Sequence, residues 1–292
     1  MAESSKYGIL VAVDGSPESD AAVRWGIAEA TLRDLPITLA HVIAPVVVTW
    51  PVRNLQGSYN RWQEDNAAHV IELAKKLVHD AGSALHIQTV VRHGGVATEL
   101  VDASRHATMT VVGSRGLGAI GGSVLGSISR GLLHYGHGPV AVIRADGADV
   151  DPTAPVLVGV DGSPASEAAI ALAFDEASRR GVGLIAMHAW SDLSVPALGE
   201  DWREYEQEGH EIIGERLAGW QEQYPDVVVT RRIVCDRPAH WLLDGAQTAQ
   251  LVVLGSHGRG GFSRMLLGSV SATVAEASPT PVIVVRRGAG HA

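Results

Sequence analysis

The sequence contains the same pattern twice, and this repeat constrains the fold more than any other feature. The apolar run Ile9 to Val13 precedes Asp14-Gly15-Ser16-Pro17, and the apolar run Val156 to Val160 precedes Asp161-Gly162-Ser163-Pro164. The second copy stands 147 positions after the first. In a chain of 292 residues, a repeat of this length predicts two domains of about 145 residues, each large enough to bury its own core.

A glycine-rich loop also occurs twice. The first joins Gly113-Ser114-Arg115-Gly116 to Gly126-Ser127, and the second joins Gly255-Ser256-His257-Gly258 to Gly268-Ser269, with nine residues between the two parts of each. Each loop follows an apolar run typical of a strand buried on both faces, and each ends where a helix is predicted to begin. Glycines that allow positive φ and close approach of the backbone, with free N–H groups at a helix start, favour an anion and above all a phosphate.

The predicted elements follow the same order in both halves. Each half has five apolar strands alternating with four helices, and the first helix has a serine N-cap followed by proline, at Ser16 or Ser163. This alternation predicts two tandem doubly wound α/β domains of Rossmann-like type, each with a five-stranded parallel sheet flanked by helices. Ligands of such sheets bind beyond the carboxyl ends of the strands, where the winding direction reverses.

The domain boundaries follow from the repeat. We expect the first domain over residues 1–145, a linker over 146–155 and the second domain over 156–292, because the intervening segment is rich in Asp and Pro. From Val91 and Ile233 onward the offset between the halves is 142, five less than at the start. We expect this loss in the surface connection that follows the second strand.

Composition excludes several classes of partner. The net charge of −9, with no basic cluster, argues against nucleic acid. The longest nearly apolar stretch, Val42 to Val52, contains two prolines and is shorter than the roughly 20 residues that span a bilayer, so we expect no membrane insertion. The first residues do not resemble a secretion signal, and Cys235 is the single cysteine. We therefore expect a cytoplasmic protein without internal disulfides.

These motifs give the chain a resemblance to the universal stress protein family. The resemblance rests on the Val-Asp-Gly-Ser opening, the Gly-Xaa2-Gly-Xaa9-Gly-Ser loop and the closing Pro-Val strand, and it extends from about Gly8 to Arg287. The double copy is similar to the tandem-domain type of that family. The resemblance implies a sheet order of 3-2-1-4-5, which places Asp14 beside the Gly113 loop. It also implies ATP, because this loop is the ATP signature of the nucleotide-binding branch.

The resemblance further assigns roles to individual residues. Asp14 and Asp161 are expected to contact ribose or a phosphate-bound magnesium ion, backbone beside the first two strands of each half to hold adenine, and the glycine loops to receive phosphates and ribose. The expected ATP-binding residues are Ala12, Asp14, Val42, Gly113, Gly116, Gly126 and Ser127 in the first half, and Gly159, Asp161, Ala189, Gly255, Gly258, Gly268 and Ser269 in the second.

The residues alone leave structural alternatives open. Asp before Gly-Ser-Pro is also common turn chemistry, so Asp14 and Asp161 have a purely structural interpretation. His41 and His188 either border the adenine or are packed, hydrogen-bonded histidines. The glycine loop itself has an interpretation as a connector without a ligand.

The missing motifs favour binding over catalysis. The sequence has no Gly-Lys-Ser/Thr of a P-loop and offers no obvious general base, so we predict no catalytic residues. The expected function is an ATP-binding regulator of stress or growth. Two alternatives stay open: a slow magnesium-dependent ATPase or phosphotransferase, and a nucleotide-free interaction scaffold. We also expect an unidentified protein partner and a homodimer that pairs through the last strands of the sheets.

Overall fold

A computed structural model describes residues 5–45, 56–117, 125–147, 150–190, 202–258 and 267–286. The chain divides into two compact units, one ending at Ala145 and the other starting at Asp146. Both units alternate strands and helices along the chain, so the predicted α/β class is confirmed.

The first unit contains five strands and four helices in the described ranges. Its strands are β1 (Ile9–Ala12), β2 (Ile37–Ile43), β3 (Ile87–His93), β4 (Met109–Gly113) and β5 (Val140–Ile143). Its helices are α1 (Pro17–Arg33), α2 (Gln56–Asp80), α3 (Val96–Ser104) and α4 (Ser127–Tyr135).

The described part of the second unit repeats this order. Its strands are β6 (Val156–Gly159), β7 (Leu184–Trp190), β8 (Val229–Cys235), β9 (Leu251–Gly255) and β10 (Val282–Val285). Its helices are α5 (Pro164–Arg180), α6 (Trp202–Gln223), α7 (Pro238–Ala246) and α8 (Ser269–Ala277).

The strands of each unit pair in parallel in the predicted order. In the first unit the order is β3-β2-β1-β4-β5, and in the second it is β8-β7-β6-β9-β10. The central strands are apolar because helices cover both of their faces: Ile9, Leu10 and Val11 of β1 have no exposed surface. By contrast, β3 alternates between half-buried and exposed residues over most of its length, as a strand at the end of a sheet does.

The serine caps form as predicted. The hydroxyl of Ser16 accepts a hydrogen bond from the N–H of Ser19, 3.1 Å away, and Pro17 is the first residue of α1. Ser163 caps α5 in the same way through the N–H of Ser166 at 3.2 Å. These caps fix the start of each helix directly beyond the first strand of its sheet.

The predicted place of the five-residue loss lies largely outside the described residues. Helix α6 has 22 residues and α2 has 25, and each begins directly after an undescribed range, 191–201 or 46–55. The loss in the connection after the second strand therefore stays a prediction.

The described residues of the segment predicted as a linker, 146–155, make local hydrogen bonds. Ala145–Gly147 form a 3-10 turn, and the side-chain amide of Gln250 donates to the carbonyl oxygens of Pro152 and Ala154 at 2.8 and 2.5 Å. The carboxylate of Asp151 accepts from the N–H and hydroxyl of Thr153, which lowers the pKa of Asp151. The end of this segment is therefore attached to the second unit. Residues 148 and 149 lie outside the described ranges.

In the described ranges, no helix combines the length and the apolar character needed to cross a membrane. Much of the apolar stretch Val42 to Val52 lies outside those ranges. Cys235 is exposed at the end of β8.

Each unit has a buried ion pair at the same place in its first helix. Glu29 of α1 pairs with Arg33, and Glu176 of α5 accepts from Nε and Nη2 of Arg180 at 3.0 Å; both glutamates are fully buried. A buried carboxylate requires such a partner because burial removes its hydration.

We predict that Glu176→Ala destabilises the second unit by about 3 kcal/mol, because Arg180 loses this carboxylate in a largely buried setting. Chemical denaturation followed by tryptophan fluorescence measures the change. Glu72→Ala is the matched control: Glu72 pairs with Lys75 on the surface, and its loss should change stability by less than about 0.5 kcal/mol. Equal effects of the two substitutions would contradict the prediction.

Candidate functional site

The two predicted parts of the site meet at the carboxyl end of each sheet. β1 pairs with β4, with Val11 opposite Val111, so the chain that follows β1 runs beside the loop that follows β4. In the second unit β6 pairs with β9, with Val158 opposite Val253. Both junctions are points where the winding direction of a doubly wound sheet reverses, and such points form a crevice.

Asp14 connects the start of α1 to the glycine loop. Its Oδ1 accepts a hydrogen bond from the N–H of Ser16 at 2.9 Å, and its Oδ2 accepts one from the N–H of Leu117 at 3.1 Å. The first bond is the turn interaction that the sequence left open as an alternative. The second joins positions 103 residues apart and holds the loop against the crevice.

The second unit uses Asp161 in the same position. Oδ1 of Asp161 accepts from the N–H of Ser163 at 2.9 Å, and Gly258 of the second loop lies against Oδ2. The hydroxyl of Ser163 also donates to the carbonyl oxygen of His257 at 3.0 Å. The second loop is thus attached to the start of α5 by side chains of the Asp161-Gly162-Ser163-Pro164 motif.

Glycine is required in the loops because other atoms lie close to the loop backbone. A Cβ added to Gly113 would lie 2.8 Å from the backbone of Glu18, and one added to Gly116 would lie 2.5 Å from Oδ2 of Asp14. Our expectation of positive φ was wrong for the described loop glycines, since positive φ occurs instead in the turn after the first strand, at Gly15 (82°) and Gly162 (77°). Glycine is needed in the loop because another backbone or a carboxylate occupies the space of a side chain.

Two serines that we did not predict hold the ends of the loops. The hydroxyl of Ser129 in α4 donates to the carbonyl oxygen of Gly113, and the hydroxyl of Ser271 in α8 donates to that of Gly255, both at 2.6 Å. The N–H of Gly126 donates to Ser114 at 2.7 Å, which closes the same loop from the other side. The signal in the sequence was the repeat itself, because Ser129 and Ser271 are also 142 positions apart.

A cavity of about 310 Å³ lies at this crevice in the first unit. Its volume is at the lower end of the range for small-molecule sites. All of the residues predicted for the first half line it, namely Ala12, Asp14, Val42, Gly113, Gly116, Gly126 and Ser127. The prediction missed an apolar wall, formed by Val96, Leu100, Val112 and Ile128, and the polar residue Asn66. His41, which the sequence left open as a neighbour of the adenine, also lines the cavity.

The residues predicted for the second half occupy equivalent places. Gly159 ends β6, Ala189 lies in β7 opposite Val234, and Gly255 ends β9. Gly268 is the N-cap of α8, and Ser269 is its first residue. The middle of each loop, residues 118–124 and 259–266, lies outside the described ranges.

The two histidines at the strand ends are hydrogen-bonded. Nδ1 of His41 lies 2.8 Å from the carbonyl oxygen of Val13, and Nδ1 of His188 lies 2.6 Å from that of Val160. Since a carbonyl oxygen only accepts, each Nδ1 carries the proton. The rings thereby fix the end of the first strand against the second. His41 also lines the cavity, so packing and a place beside the ligand are compatible in the first unit.

An ion-pair cluster holds the apolar wall in place. Arg92 of β3 donates to Glu99 at 3.1 Å and to Asp102 at 2.8 Å, both on α3, whose Val96 and Leu100 line the cavity. The hydrogen bond from Arg92 lowers the pKa of Asp102. Because the folded-state pKa is lowered, this pair stabilises the fold above the ordinary pKa of a carboxyl group, and its contribution falls as the pH drops through the lowered value.

The chemistry of the site fits magnesium only as a companion of phosphate. Among the described residues, no group of three or more His, Cys, Asp or Glu side chains could hold a metal ion. Asp14 supplies one carboxylate, and each of its oxygens has a second lone-pair direction beyond the bond to a backbone N–H. Magnesium takes six oxygen ligands, so phosphates and water would have to provide the rest.

The fold and the site together define a tandem α/β protein with a crevice at the switch point of each sheet. The model of the universal stress protein family matches residues 8–144 and again residues 153–286. The chain therefore belongs to the universal stress protein family, as the sequence motifs indicated.

Similar proteins agree with this assignment. A universal stress protein of Mycolicibacterium smegmatis is 56% identical over 288 residues, which cover 97% of this chain and 98% of that protein. One of Mycobacterium tuberculosis strain H37Rv is 49% identical over 288 residues, with the same shares of coverage. The crystal structure of a universal stress protein from Archaeoglobus fulgidus has the same fold, with a TM-score of 0.71, 23% identity and coverage of 96% of this chain and 98% of that one.

We predict that Gly255→Ala destabilises the second unit by about 1–3 kcal/mol, because the new Cβ would lie 2.7 Å from the backbone of Ala165. Gly219→Ala is the control in the same unit: it lies within α6, nothing comes within 4 Å of its added Cβ, and it should stabilise by about 0.5–1 kcal/mol. Thermal unfolding of both variants measures the difference. A Gly255→Ala variant as stable as the Gly219→Ala variant would overturn the close-approach explanation.

Proposed function

We propose that this universal stress protein is an ATP-binding regulator whose first site is the cavity between β1 and β4. The observation that carries the proposal is that the seven residues expected to bind ATP in the first half all line this one cavity. They come from four separate parts of the chain, so their meeting there supports a common ligand.

The phosphates would lie against the glycine loop and the start of α4. The N-cap of α4, Gly126, provides no side-chain hydrogen bond to the first turn, and Ser127, Ile128 and Ser129 line the cavity. The first N–H groups of a helix need acceptors and carry partial positive charge, which suits phosphate. The start of α1 is different, because the hydroxyl of Ser16 already caps it.

The adenine would lie against three apolar side chains of the cavity, Val42, Val96 and Leu100. Ala12 and Ala40 also line the cavity, and their small side chains leave room for a planar ring beside the strand ends. Such a division into an apolar part and a few polar groups is usual in small-molecule sites. The ribose would then fall near Asp14, which has lone pairs for a hydroxyl group or for nucleotide-bound magnesium.

The second unit would bind a nucleotide through the equivalent groups. These are the carboxylate of Asp161, the loop backbone at Gly255 and the start of α8 at Ser269. Whether one or two nucleotides bind is a question of stoichiometry that titration answers directly.

The chemistry of the cavity favours holding a nucleotide over cleaving it. None of the described residues that line it is a lysine, and the Nδ1 proton of His41 is engaged by a carbonyl oxygen. A regulatory role then requires that nucleotide occupancy favours one of two conformations of the protein.

We expect ATP to accompany the freshly purified protein or to bind it in calorimetric titration. Gly116→Ala should weaken ATP binding at the first site at least tenfold, because its Cβ would lie 2.5 Å from Oδ2 of Asp14 and would displace the loop. Gly57→Ala, whose Cβ has nothing within 4 Å, is the control and should bind ATP like the unmodified protein. A protein that is purified without nucleotide and binds no ATP would refute the proposal.

The enzymatic alternative predicts a different result. If the protein is a magnesium-dependent ATPase or phosphotransferase, phosphate release should disappear when Asp14→Ala and Asp161→Ala are combined. Hydrolysis that is unchanged in the double variant would come from a contaminant. No measurable hydrolysis by a protein that binds ATP would support the regulatory function.

The remaining expectations stay proposals. Domain boundaries at 145 and 156, a cytoplasmic location, an unidentified protein partner and a homodimer through β5 or β10 are each separate hypotheses. Sedimentation velocity with and without ATP tests the dimer. If the purified protein contains no ATP, a partner that binds the Gly116→Ala variant as well as the unmodified protein would favour the scaffold alternative.

A further inference from the structure

Where both glycine loops are described, they differ in charge at one position, and a second difference lies directly beside it. Arg115 of the first loop corresponds to His257 of the second. In the sequence, the second loop also has Arg259 and Arg264, where the first has Leu117 and Gly122. The residue packed against the first glycine of each loop also differs: Gly113 contacts the backbone of Glu18, and Gly255 contacts the backbone of Ala165. These equivalent contacts establish that Glu18 and Ala165 occupy the same place in the two units.

In the first unit the two charged residues form an ion pair at the edge of the cavity. Nη2 of Arg115 lies 3.0 Å from Oε1 of Glu18, and the glutamate side chain is only 14% exposed. Arg115 lines the cavity together with Gly116 and Gly126 of the loop. Its Nε is buried and, among the described residues, has no hydrogen-bond partner. The guanidinium therefore lies beside the proposed phosphate site with one donor unsatisfied and another held by Glu18.

The second unit has no acid at the corresponding position. Nδ1 of His257 lies 2.8 Å from the hydroxyl oxygen of Ser256, its own neighbour in the loop. Ala165 provides no charge, and the acid in the first turn of α5, Glu167, pairs with Arg216 at 2.9 Å. The pair formed by Arg115 and Glu18 in the first unit thus corresponds to His257 and Ala165 in the second.

We propose that Glu18 is an internal competitor for Arg115 and thereby lowers the affinity of the first site for polyphosphate nucleotides. The inference rests on the proposed nucleotide binding. An arginine binds phosphate oxygens and carboxylate oxygens with the same planar set of donors, so a phosphate that recruits Arg115 has to displace Glu18. The competition grows with the number of phosphate charges that attract Arg115.

Glu18 is stable without Arg115, so the exchange is feasible. It lies in the first turn of α1, where the helix dipole favours an acid. The site then has two states, one with Arg115 on Glu18 and one with Arg115 on the ligand. An affinity lowered in this way makes occupancy of the first site respond to the concentration of ATP, while the second site lacks this competitor.

Calorimetric titration of the full chain with ATP and AMP tests the proposal. Glu18→Gln should strengthen ATP binding at the first site about three- to tenfold, and it should change AMP binding by less than about twofold. Asp20→Asn is the matched control, because it removes an acid from the same turn of α1 and changes the net charge equally. It should leave both affinities nearly unchanged.

A double-mutant cycle separates competition from general charge repulsion. In an Arg115→Gln background, the gain from Glu18→Gln should largely disappear, because no guanidinium remains to be released. ATP binding that is unchanged or weaker in Glu18→Gln would overturn the inference and leave the proposed function standing. A gain in ATP affinity that persists in the Arg115→Gln background would also overturn the inference. So would an equal gain from Asp20→Asn. Absence of ATP binding in every variant would overturn both. Circular dichroism confirms that each variant is folded.

Discussion

The parallel pairing of β1 with β4 is the interaction on which the site depends. The chain winds from β1 outward through β2 to β3 and then crosses back to place β4 on the other side of β1. This reversal separates the helices that follow β1 and β4 and opens a crevice between them. With Val11 opposite Val111, Asp14 and Gly113 leave the sheet within reach of each other. No local feature of either segment could bring them together without this pairing.

The crevice is then shaped by contacts between backbone and small side chains. Asp14 uses both carboxylate oxygens on backbone N–H groups, and Ser129 uses its hydroxyl on the carbonyl oxygen of Gly113. These bonds satisfy polar backbone groups beside a buried strand end, where unpaired groups would be costly. Glycine is required at Gly116 because Oδ2 of Asp14 occupies the space of a side chain, and at Gly113 because the backbone of Glu18 does.

The sequence allowed the prediction of what depends on the repeat and on local patterns. The alternation of strands and helices and the helix caps were predictable from the repeat and from local patterns. The strand order and the seven cavity residues of the first half were predicted through the resemblance to the universal stress protein family, whose motifs this sequence contains. Contacts between distant side chains were not predictable, because they depend on rotamers and on the register of packed helices. The bond from Ser129 to Gly113 and the pair of Arg115 with Glu18 are of this kind.

The two units have the same hydrogen bonds between side chains and backbone at the crevice, but they differ in the charged residues around it. Asp14 and Asp161 make the same turn bond, and Ser129 and Ser271 the same loop bond at 2.6 Å. Arg115 and Glu18, by contrast, have uncharged or conditionally charged counterparts in the second unit. Gly113 meets the backbone of Glu18 and Gly255 meets that of Ala165, so this close contact is kept in both units although the side chain at the position differs. Because the domain is duplicated, the charge beside the crevice can change in one unit while the crevice itself is kept. Two sites of the same geometry can therefore differ in their response to the same ligand.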